Sequence, residues 1–353
     1  MNSFKLSMTA LLALGMTASM CAQNGQSKKS LKVLGTTRIG NAKKVASESG
    51  NEVMTGPEVD VSTAKPQISG TTSPARVPSA HVPNPTGDAL VTAAGSNFVG
   101  FNGLTHRDQR LSNNGNQFSL EPPDQGLAVS GGFVVEAVND AVAVYDRSGN
   151  LLKGPVSLNE FFNLPPAINR TTTPPTFGPD PTDPRVYYDT ATGRFFLVSL
   201  VLGLDQQEKF VPPAVQYIAV SQTSDPAGLW TILALDVTDD GGPFSPCPCF
   251  GDQPLIGADA NGFYISDNAY NIVARSFAGA NMYAMSKAAL ELATPGNVTA
   301  MRFGPLTEAG FPFAFSVQPA TTAPRADNPA APSFSSVRLI SPAPWTTAWL
   351  SGP

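Results

Sequence analysis

The stretch from Asp183 to Val237 most constrains the fold, because it holds four strand-like runs in direct succession. These runs are RVYYD, RFFLVSLVL, VQYIAVSQT and LWTILALDV. The turn sequence TATG follows the first run and SDPAG follows the third, while the polar loop GLDQQEKFVPPA joins the middle two. Apolar, β-branched runs separated by such turns predict an antiparallel meander of four strands, the size of one β-propeller blade.

The same order of strands and turns recurs on both sides of this stretch. The preceding copy contains LAVS, FVVEAVN, AVAVYD and LLKGPV. The following copy contains LIGA, FYISDNAY, NMYAMS and VTAMRF, with KAALELA as a short helix before its last strand, and a fourth copy begins at FPFAFSVQP. Copies at intervals of roughly 55 to 65 residues are typical of repeat folds. The predicted fold class is therefore all-β, a β-propeller of four-stranded antiparallel blades that is incomplete in this chain.

The segments before the repeats predict export and a linker. In residues 1–22, Lys5 precedes the apolar run MTALLALGMTASM, which is typical of a signal peptide and too short to span a membrane. Residues 23–96 become rich in Pro, Ser and Thr, so we expect a disordered linker. The propeller-like domain is predicted over residues 97–326. The expected location is secreted, either extracellular or periplasmic.

The charge distribution excludes one class of partner. From Glu121 to Arg325 there are twenty acidic residues against ten basic ones. A domain this acidic is poorly suited to the phosphate backbone of a nucleic acid. We therefore expect no nucleic-acid partner, and no membrane span.

The cysteine and histidine content excludes further classes of site. Cys21 leaves with the signal peptide, so the mature chain keeps Cys247 and Cys249, too few for a disulfide scaffold or a zinc site. Whether these two pair is left open, because a single residue separates them. The only histidines, His81 and His106, lie outside the predicted strands. A Ser-His-Asp site within the propeller is therefore excluded.

Several motifs, in a fixed order, resemble those of a family of large secreted bacterial β-propeller-like proteins. They include EPPDQGLAV, DPRVYYDTATGRFF, YIAVSQTSDPAGLW and FGDQPLIGADANGFYISDN, and the resemblance covers roughly residues 97 to 320. No activity is established for that family, so the resemblance implies a fold and export but no catalytic residue. The sequence departs from the family pattern at CPCF.

Residues 327–353 do not continue the repeat. The tail APSFSSVRLISPAPWTTAWLSGP has loop composition throughout. With permitted codons and a frame moved back by one nucleotide, it can read GTEFLFSSLDFTGTLDNRVAVWA, a strand, a turn and a strand. We therefore expect a frameshift between about Asp327 and Ala331, the alternative being a genuine disordered tail. A ring left unclosed exposes strand edges, and a truncated non-functional fragment is one outcome.

Three aspartates form the sharpest candidate site, because Asp124, Asp183 and Asp252 each begin a predicted innermost strand. Together they could surround one mouth of the central channel and bind a cation, or act as acid and base on a sugar. The alternative is structural, with each Asp capping a turn or bonding the backbone of the neighbouring blade. Repetition in every copy favours the structural interpretation. Arg185 is expected to pair with one of these carboxylates and link two blades.

Three further carboxylates and one tryptophan are singled out. Glu136 lies inside the apolar strand FVVEAVND, which makes it a candidate general acid, with pairing to an arginine as the alternative. Asp239 and Asp240 are candidates for calcium, but they lack the full spaced ligand set, and no other cofactor is predicted. Trp230 closes a turn resembling those of glycosidase propellers, and we expect it to pack within the blade.

Two functions remain open on the sequence alone. The first is a secreted binding or scaffold module that presents loops and a channel to a glycan or an extracellular protein. The second is a glycoside-hydrolase-like enzyme that uses the channel carboxylates. An acidic pair about 5 to 10 Å apart in an open channel favours the enzyme. Aspartates tied into turns favour the binding module.

Overall fold

A computed structural model describes residues 25–41, 100–118, 120, 123–238, 247–307, 312–321 and 337–339. Most of these residues lie in antiparallel strands. The strands are β1 (Gln26–Ser30), β2 (Lys32–Thr37), β3 (Gln125–Val129), β4 (Phe133–Val138), β5 (Ala141–Asp146), β6 (Leu151–Ser157), β7 (Ile168–Asn169), β8 (Thr176–Phe177), β9 (Asp180–Asp189), β10 (Arg194–Leu204), β11 (Phe210–Ser221), β12 (Trp230–Asp236), β13 (Cys249–Ala258), β14 (Gly262–Asn271), β15 (Phe277–Ser286), β16 (Thr299–Leu306), β17 (Val317–Pro319) and β18 (Val337–Leu339). The helices are α1 (His106–Leu111), α2 (Leu158–Phe161) and α3 (Lys287–Leu292), with a 3₁₀ turn at Ser112–Gly115. None of the helices in these ranges is long and apolar enough to cross a membrane.

Three large sheets confirm the predicted meanders. Their orders are β3-β4-β5-β6, β9-β10-β11-β12 and β13-β14-β15-β16, with every neighbouring pair antiparallel. Helix α3 lies between β15 and β16, where KAALELA was predicted to be helical. We call the three sheets blades 1, 2 and 3 in chain order.

The first strands of successive blades contact one another, β3 against β9, β9 against β13, and β13 against β17. Two glycines allow this close approach. A Cβ at Gly126 would lie 2.7 Å from the Val186 nitrogen, and one at Gly257 would lie 2.5 Å from the Ala320 carbonyl oxygen. The first strand of each blade is therefore the innermost, as expected for blades around a common axis.

The N-terminal strands correct the predicted linker. Residues 25–41 are not a disordered spacer, because β1 pairs with β16 at the outer edge of blade 3, and β2 pairs with β12 at the outer edge of blade 2. Asn41 then bridges to Gly154 in blade 1. We call residues 25–41 the strap. Leu31 and Ile39 anchor it with buried side chains, and the free edges of the outer strands supply its hydrogen bonds. Residues 42–96 of the predicted linker lie outside the described residues.

Part of a fourth repeat is present. Strand β17 falls within the predicted copy that begins at FPFAFSVQP, and it pairs antiparallel with β18. Strand β18 belongs to the tail predicted to be irregular, so Val337–Leu339 is a correction to that expectation. The edge of β17 offers the backbone groups that this short pairing satisfies. The rest of the tail, and with it the frameshift hypothesis, lies outside the described residues.

The apolar core fills the spaces between successive blades. One buried cluster joins strands of blades 2 and 3, and another joins blades 1 and 2. Trp230 belongs to the second cluster, where its ring meets Phe161 edge-on at 5.6 Å and its Nε1 donates to the Pro226 carbonyl at 2.8 Å. The packing role predicted for Trp230 is confirmed. Cys247 and Cys249 form a disulfide at the start of blade 3, which answers a question the sequence left open.

Candidate functional site

The three predicted aspartates do come together, but the central one is buried. Asp183 is 5% exposed and lies in β9 with a left-handed backbone, φ +53°. Its carboxylate Oδ2 accepts the Gln253 N–H at 3.0 Å, and its own N–H donates to Asn139 Oδ1 at 2.9 Å. Asp183 thus connects the backbone and side chains of blades 1, 2 and 3.

This connection repeats between blade 3 and the part of the fourth repeat that contains β17. Ser316 also has a left-handed backbone, φ +51°, and its N–H donates to Asn268 Oδ1 at 2.9 Å. Gln253 is left-handed as well, with φ +46°. In all three places the N–H of a left-handed residue, on an innermost strand or directly before it, donates to a side-chain oxygen of the preceding blade. Asn139, Asp183 and Asn268 provide these oxygens, so the observed role of the Asp183 side chain is the structural one.

The electrostatics show how close the three carboxylates are. Burial raises the pKa of Asp183 well above its usual value, and the neighbouring Asp252 and Asp124 raise it further. The Gln253 N–H opposes this effect by stabilising the charged form. Asp124 and Asp252 are half-buried, and the Asp124 carbonyl accepts the Asn139 N–H at 3.1 Å. A buried and hydrogen-bonded Asp183 differs from the open channel carboxylate that an acid–base pair requires.

Among the described residues, Arg185 links blades through backbone oxygens and not through a carboxylate. Its Nη1 donates to the Gln125 carbonyl at 3.0 Å and to the Pro184 carbonyl at 3.2 Å. The expected Asp partner is therefore replaced by backbone oxygens. Blade 1 presents Gln125 at the start of its innermost strand, so the guanidinium joins blades 1 and 2 near the axis.

Glu136 lies beneath the chain at Gly103 and Leu104. Its Oε2 accepts the Leu104 N–H at 2.8 Å, and its Oε1 accepts the Gln125 amide at 3.5 Å. A side chain at position 103 would overlap the carboxylate, which shows how closely the chain covers it. Burial raises the pKa of Glu136, the Leu104 N–H lowers it, and Asp108 raises it. The partners observed for Glu136 are thus amide groups, where an arginine was the alternative expected.

A cleft of about 540 Å³ opens beside this segment, along blade 1. It is lined by residues 101–103 and Asp108, and by the β5–β6 hairpin with Tyr145 and residues 148–151 and 155. The Phe101 and Tyr145 rings pack at 5.2 Å between centroids. Asp108 caps helix α1 by accepting the Thr105 N–H at 2.8 Å, so its carboxylate is fixed at the rim. We call this space the blade 1 cleft.

The cleft combines features that suit a polar ligand with apolar faces. Phe101 is half-buried, and Asn102, Ser148 and Asn150 are exposed along the lining. Asp146 holds the hairpin tip by accepting the Ser148 N–H at 2.8 Å and the Asn150 N–H at 2.9 Å. An aromatic ring beside amide, hydroxyl and carboxylate groups can bind a sugar through ring stacking and hydrogen bonds.

Asp239 and Asp240, the predicted calcium candidates, lie outside the described residues. Within the described ranges, no group of three or more His, Cys, Asp or Glu side chains is arranged to hold a metal ion. The calcium prediction for these two residues stays a prediction.

No protein-family model matches the chain, and no curated protein is significantly similar to it. Among solved structures, an exo-β-1,3-galactanase from Clostridium thermocellum is similar at 13% identity and a TM-score of 0.29, with 50% of this chain and 44% of that chain covered. An exo-β-1,3-galactanase from Phanerochaete chrysosporium, determined with galactose, is similar at 14% identity and a TM-score of 0.30, with 59% of this chain and 42% of that chain covered. This chain spans less than half the length of the structures it matches, and TM-scores this low carry no argument about fold or function.

The structure also contains a buried polar cluster between blades 1 and 2 that was not predicted from the sequence. Asp140 and Asp180 are 0% and 2% exposed, and Gln117 beside them is 0% exposed. Burial raises the pKa of Asp180 to about 7. Burial also raises the pKa of Asp140, and the nearby Asp180 carboxylate raises it further. The paired Asp-Pro steps at 180–181 and 183–184 were the available signal. Their burial depends on contacts between blades, which no local pattern shows.

Proposed function

We propose that this chain is an exported binding module of propeller-like blades that takes a glycan in the blade 1 cleft. The observation that carries the proposal is the lining of that cleft, where Phe101 and Tyr145 adjoin Asn102, Ser148 and Asp108. Sugars present apolar faces and hydroxyl edges to such surfaces. Export rests on the signal-like residues 1–22, and the Cys247–Cys249 disulfide suits an oxidising compartment.

The positions of Asp183 and Glu136 support binding over hydrolysis. Asp183 is buried and its Oδ2 already accepts the Gln253 N–H, while Glu136 is covered by Gly103. A glycoside hydrolase needs two carboxyl groups that both reach the glycosidic bond. The glycoside-hydrolase-like alternative keeps one supporting observation, the raised pKa of Glu136 beside Asp108, which is the kind of shift that a general acid requires.

The test is a glycan microarray followed by calorimetric titration with the best ligand. We expect the mature chain to bind one class of glycan without releasing reducing sugar. Phe101→Ala should weaken binding by about tenfold, because aromatic stacking of this kind contributes about 1 kcal/mol or more. Asn102→Ala should also weaken binding while leaving the fold intact, since Asn102 is exposed.

Asn297→Ala provides the matched control, because Asn297 is an exposed turn residue on blade 3. Its affinity should equal that of the wild type. Equal affinities in wild type, Asn102→Ala and Phe101→Ala would rule out the cleft as the site. Release of reducing sugar that Glu136→Gln abolishes would favour the enzyme instead.

A further inference from the structure

A buried polar cluster lies where three segments meet between blades 1 and 2. Gln117 follows the 3₁₀ turn, Asp140 sits between β4 and β5, and Asp180 begins β9. Neighbouring contacts fix the position of each segment. The Asp140 carbonyl accepts the Leu158 N–H at 2.8 Å, and the Gln117 carbonyl accepts Arg170 Nη1 at 2.8 Å.

The side chains of this cluster have unused hydrogen-bonding atoms. Both Asp140 carboxylate oxygens are buried without a hydrogen-bond partner among the described residues, and so is Asp180 Oδ1. Gln117 is an independent case, since it is not acidic and yet both its Nε2 and its Oε1 are buried without a partner in the same part of the chain. The Gln117 amide lies near enough to Asp140 to lower the pKa of its carboxyl group. The geometry between the two groups nevertheless does not meet that of a hydrogen bond.

Such an arrangement is costly unless something neutralises it. A buried polar group without a partner costs about 1–3 kcal/mol, and more when it is charged. The side chains that shift the pKa of Asp140 are those of Asp180, Gln117 and Asp183, and none of them carries a positive charge. The charge of the two carboxylates therefore has to be balanced by a bound cation or by protons.

We propose that Asp140, Asp180 and Gln117 bind a calcium ion at the junction of blades 1 and 2. Carboxylate and amide oxygens are the ligands that calcium prefers, and calcium accepts six to eight of them with flexible geometry. Two carboxylates and one amide leave the remaining ligand positions to water and backbone oxygens. The ion joins residues from both blades, so it stabilises their packing, which is a role separate from the glycan-binding proposal.

The test uses the full mature chain, treated with EDTA and then titrated with CaCl₂ while its unfolding temperature is followed by calorimetry. We expect a saturable rise of roughly 5–10 °C, because a ligand that binds only the folded state stabilises it by mass action. Asp140→Asn should lose this calcium-dependent rise. The control Asp205→Asn, altered in the β10–β11 loop, should keep it.

Several results would overturn the proposal. One is a wild-type chain that retains no calcium by elemental mass spectrometry and whose unfolding temperature ignores CaCl₂, since protons then neutralise the cluster. Another is an equal calcium response in wild type and Asp140→Asn. If Asp140→Asn does not fold, Gln117→Ala decides: calcium affinity reduced several-fold supports the proposal, and unchanged affinity overturns it.

Discussion

The burial of Asp267 allows a quantitative prediction of how the stability of the folded chain depends on pH. Asp267 lies in β14 and is 3% exposed, with its Oδ1 accepting the Asn281 amide at 3.4 Å. Burial raises its pKa from 3.8 to about 7, although Asn281, Gln216, Arg302 and Lys29 pull it down. A folded-state pKa above the unfolded value means that the folded state binds the proton more tightly.

The sign and size of the effect follow from proton linkage. The charged carboxylate destabilises the folded chain above about pH 7, and this penalty is relieved as the pH falls from there toward about pH 4. With the pKa of Asp267 near 7 in the folded state and 3.8 in the unfolded state, the folded chain gains about 2 kcal/mol between about pH 8 and about pH 5.5. Asp267→Asn keeps the side-chain shape but cannot titrate, so it removes this gain.

The assay is urea unfolding of wild type and Asp267→Asn, in EDTA, at both pH values. The difference between their free energies of unfolding should change by about 2 kcal/mol, with the variant relatively more stable at the higher pH. Asp205→Asn is the control, because hydrogen bonds to its own loop lower the pKa of Asp205 and place its titration below this window. Equal pH dependence in wild type and Asp267→Asn would show that Asp267 does not bind a proton in this pH range.

Two further substitutions test contacts between elements. Lys287→Met should cost about 3–5 kcal/mol in urea unfolding, because Lys287 Nζ lies 2.9 Å from Asp189 Oδ2 and removal of one partner leaves a buried charge unpaired. Exposed Lys209→Met is its control, and equal effects of the two would contradict the salt bridge. Ile39→Ala should cost about 2–4 kcal/mol by emptying a core position of the strap, against a small change for Leu34→Ala, which is 47% exposed. A negligible cost for Ile39→Ala would mean that the strap does not dock.

The blades were predictable from the sequence because their signals are local. In blade 2, apolar β-branched runs and Gly-containing turns lie within one continuous stretch, Asp183–Val237, and each strand pairs with the next in the chain. Helix α3 was predictable for the same reason. Such pairs need only short turns to bring them together.

The strap was not predictable, because its partners are distant and its pattern is weak. Ser30 pairs with Thr299, and Thr37 pairs with Trp230. KKSLKVLGTT has little alternation, and its pairing depends on the free edges of β12 and β16. Edge strands provide backbone hydrogen bonds to almost any extended segment, so composition alone does not reveal them.

The candidate site was half predictable. The repeated Asp at the start of each blade led to the prediction that these residues share a site, and in the structure Asp124 and Asp252 lie near Asp183. The burial of Asp183 follows from packing between blades, and so does that of Asp140 and Asp180. The blade 1 cleft could not be predicted from the sequence, because it is formed by residues 101–103 and a hairpin more than forty residues later.

The most direct test of glycan binding in the blade 1 cleft is calorimetric titration of the mature chain with the best glycan from a microarray, comparing wild type with Asn102→Ala. We expect a saturable glycan affinity in the wild type, a clear loss in Asn102→Ala, and no released reducing sugar. Undiminished affinity in Asn102→Ala, or hydrolysis of the glycan by the wild type, would contradict the proposed binding function.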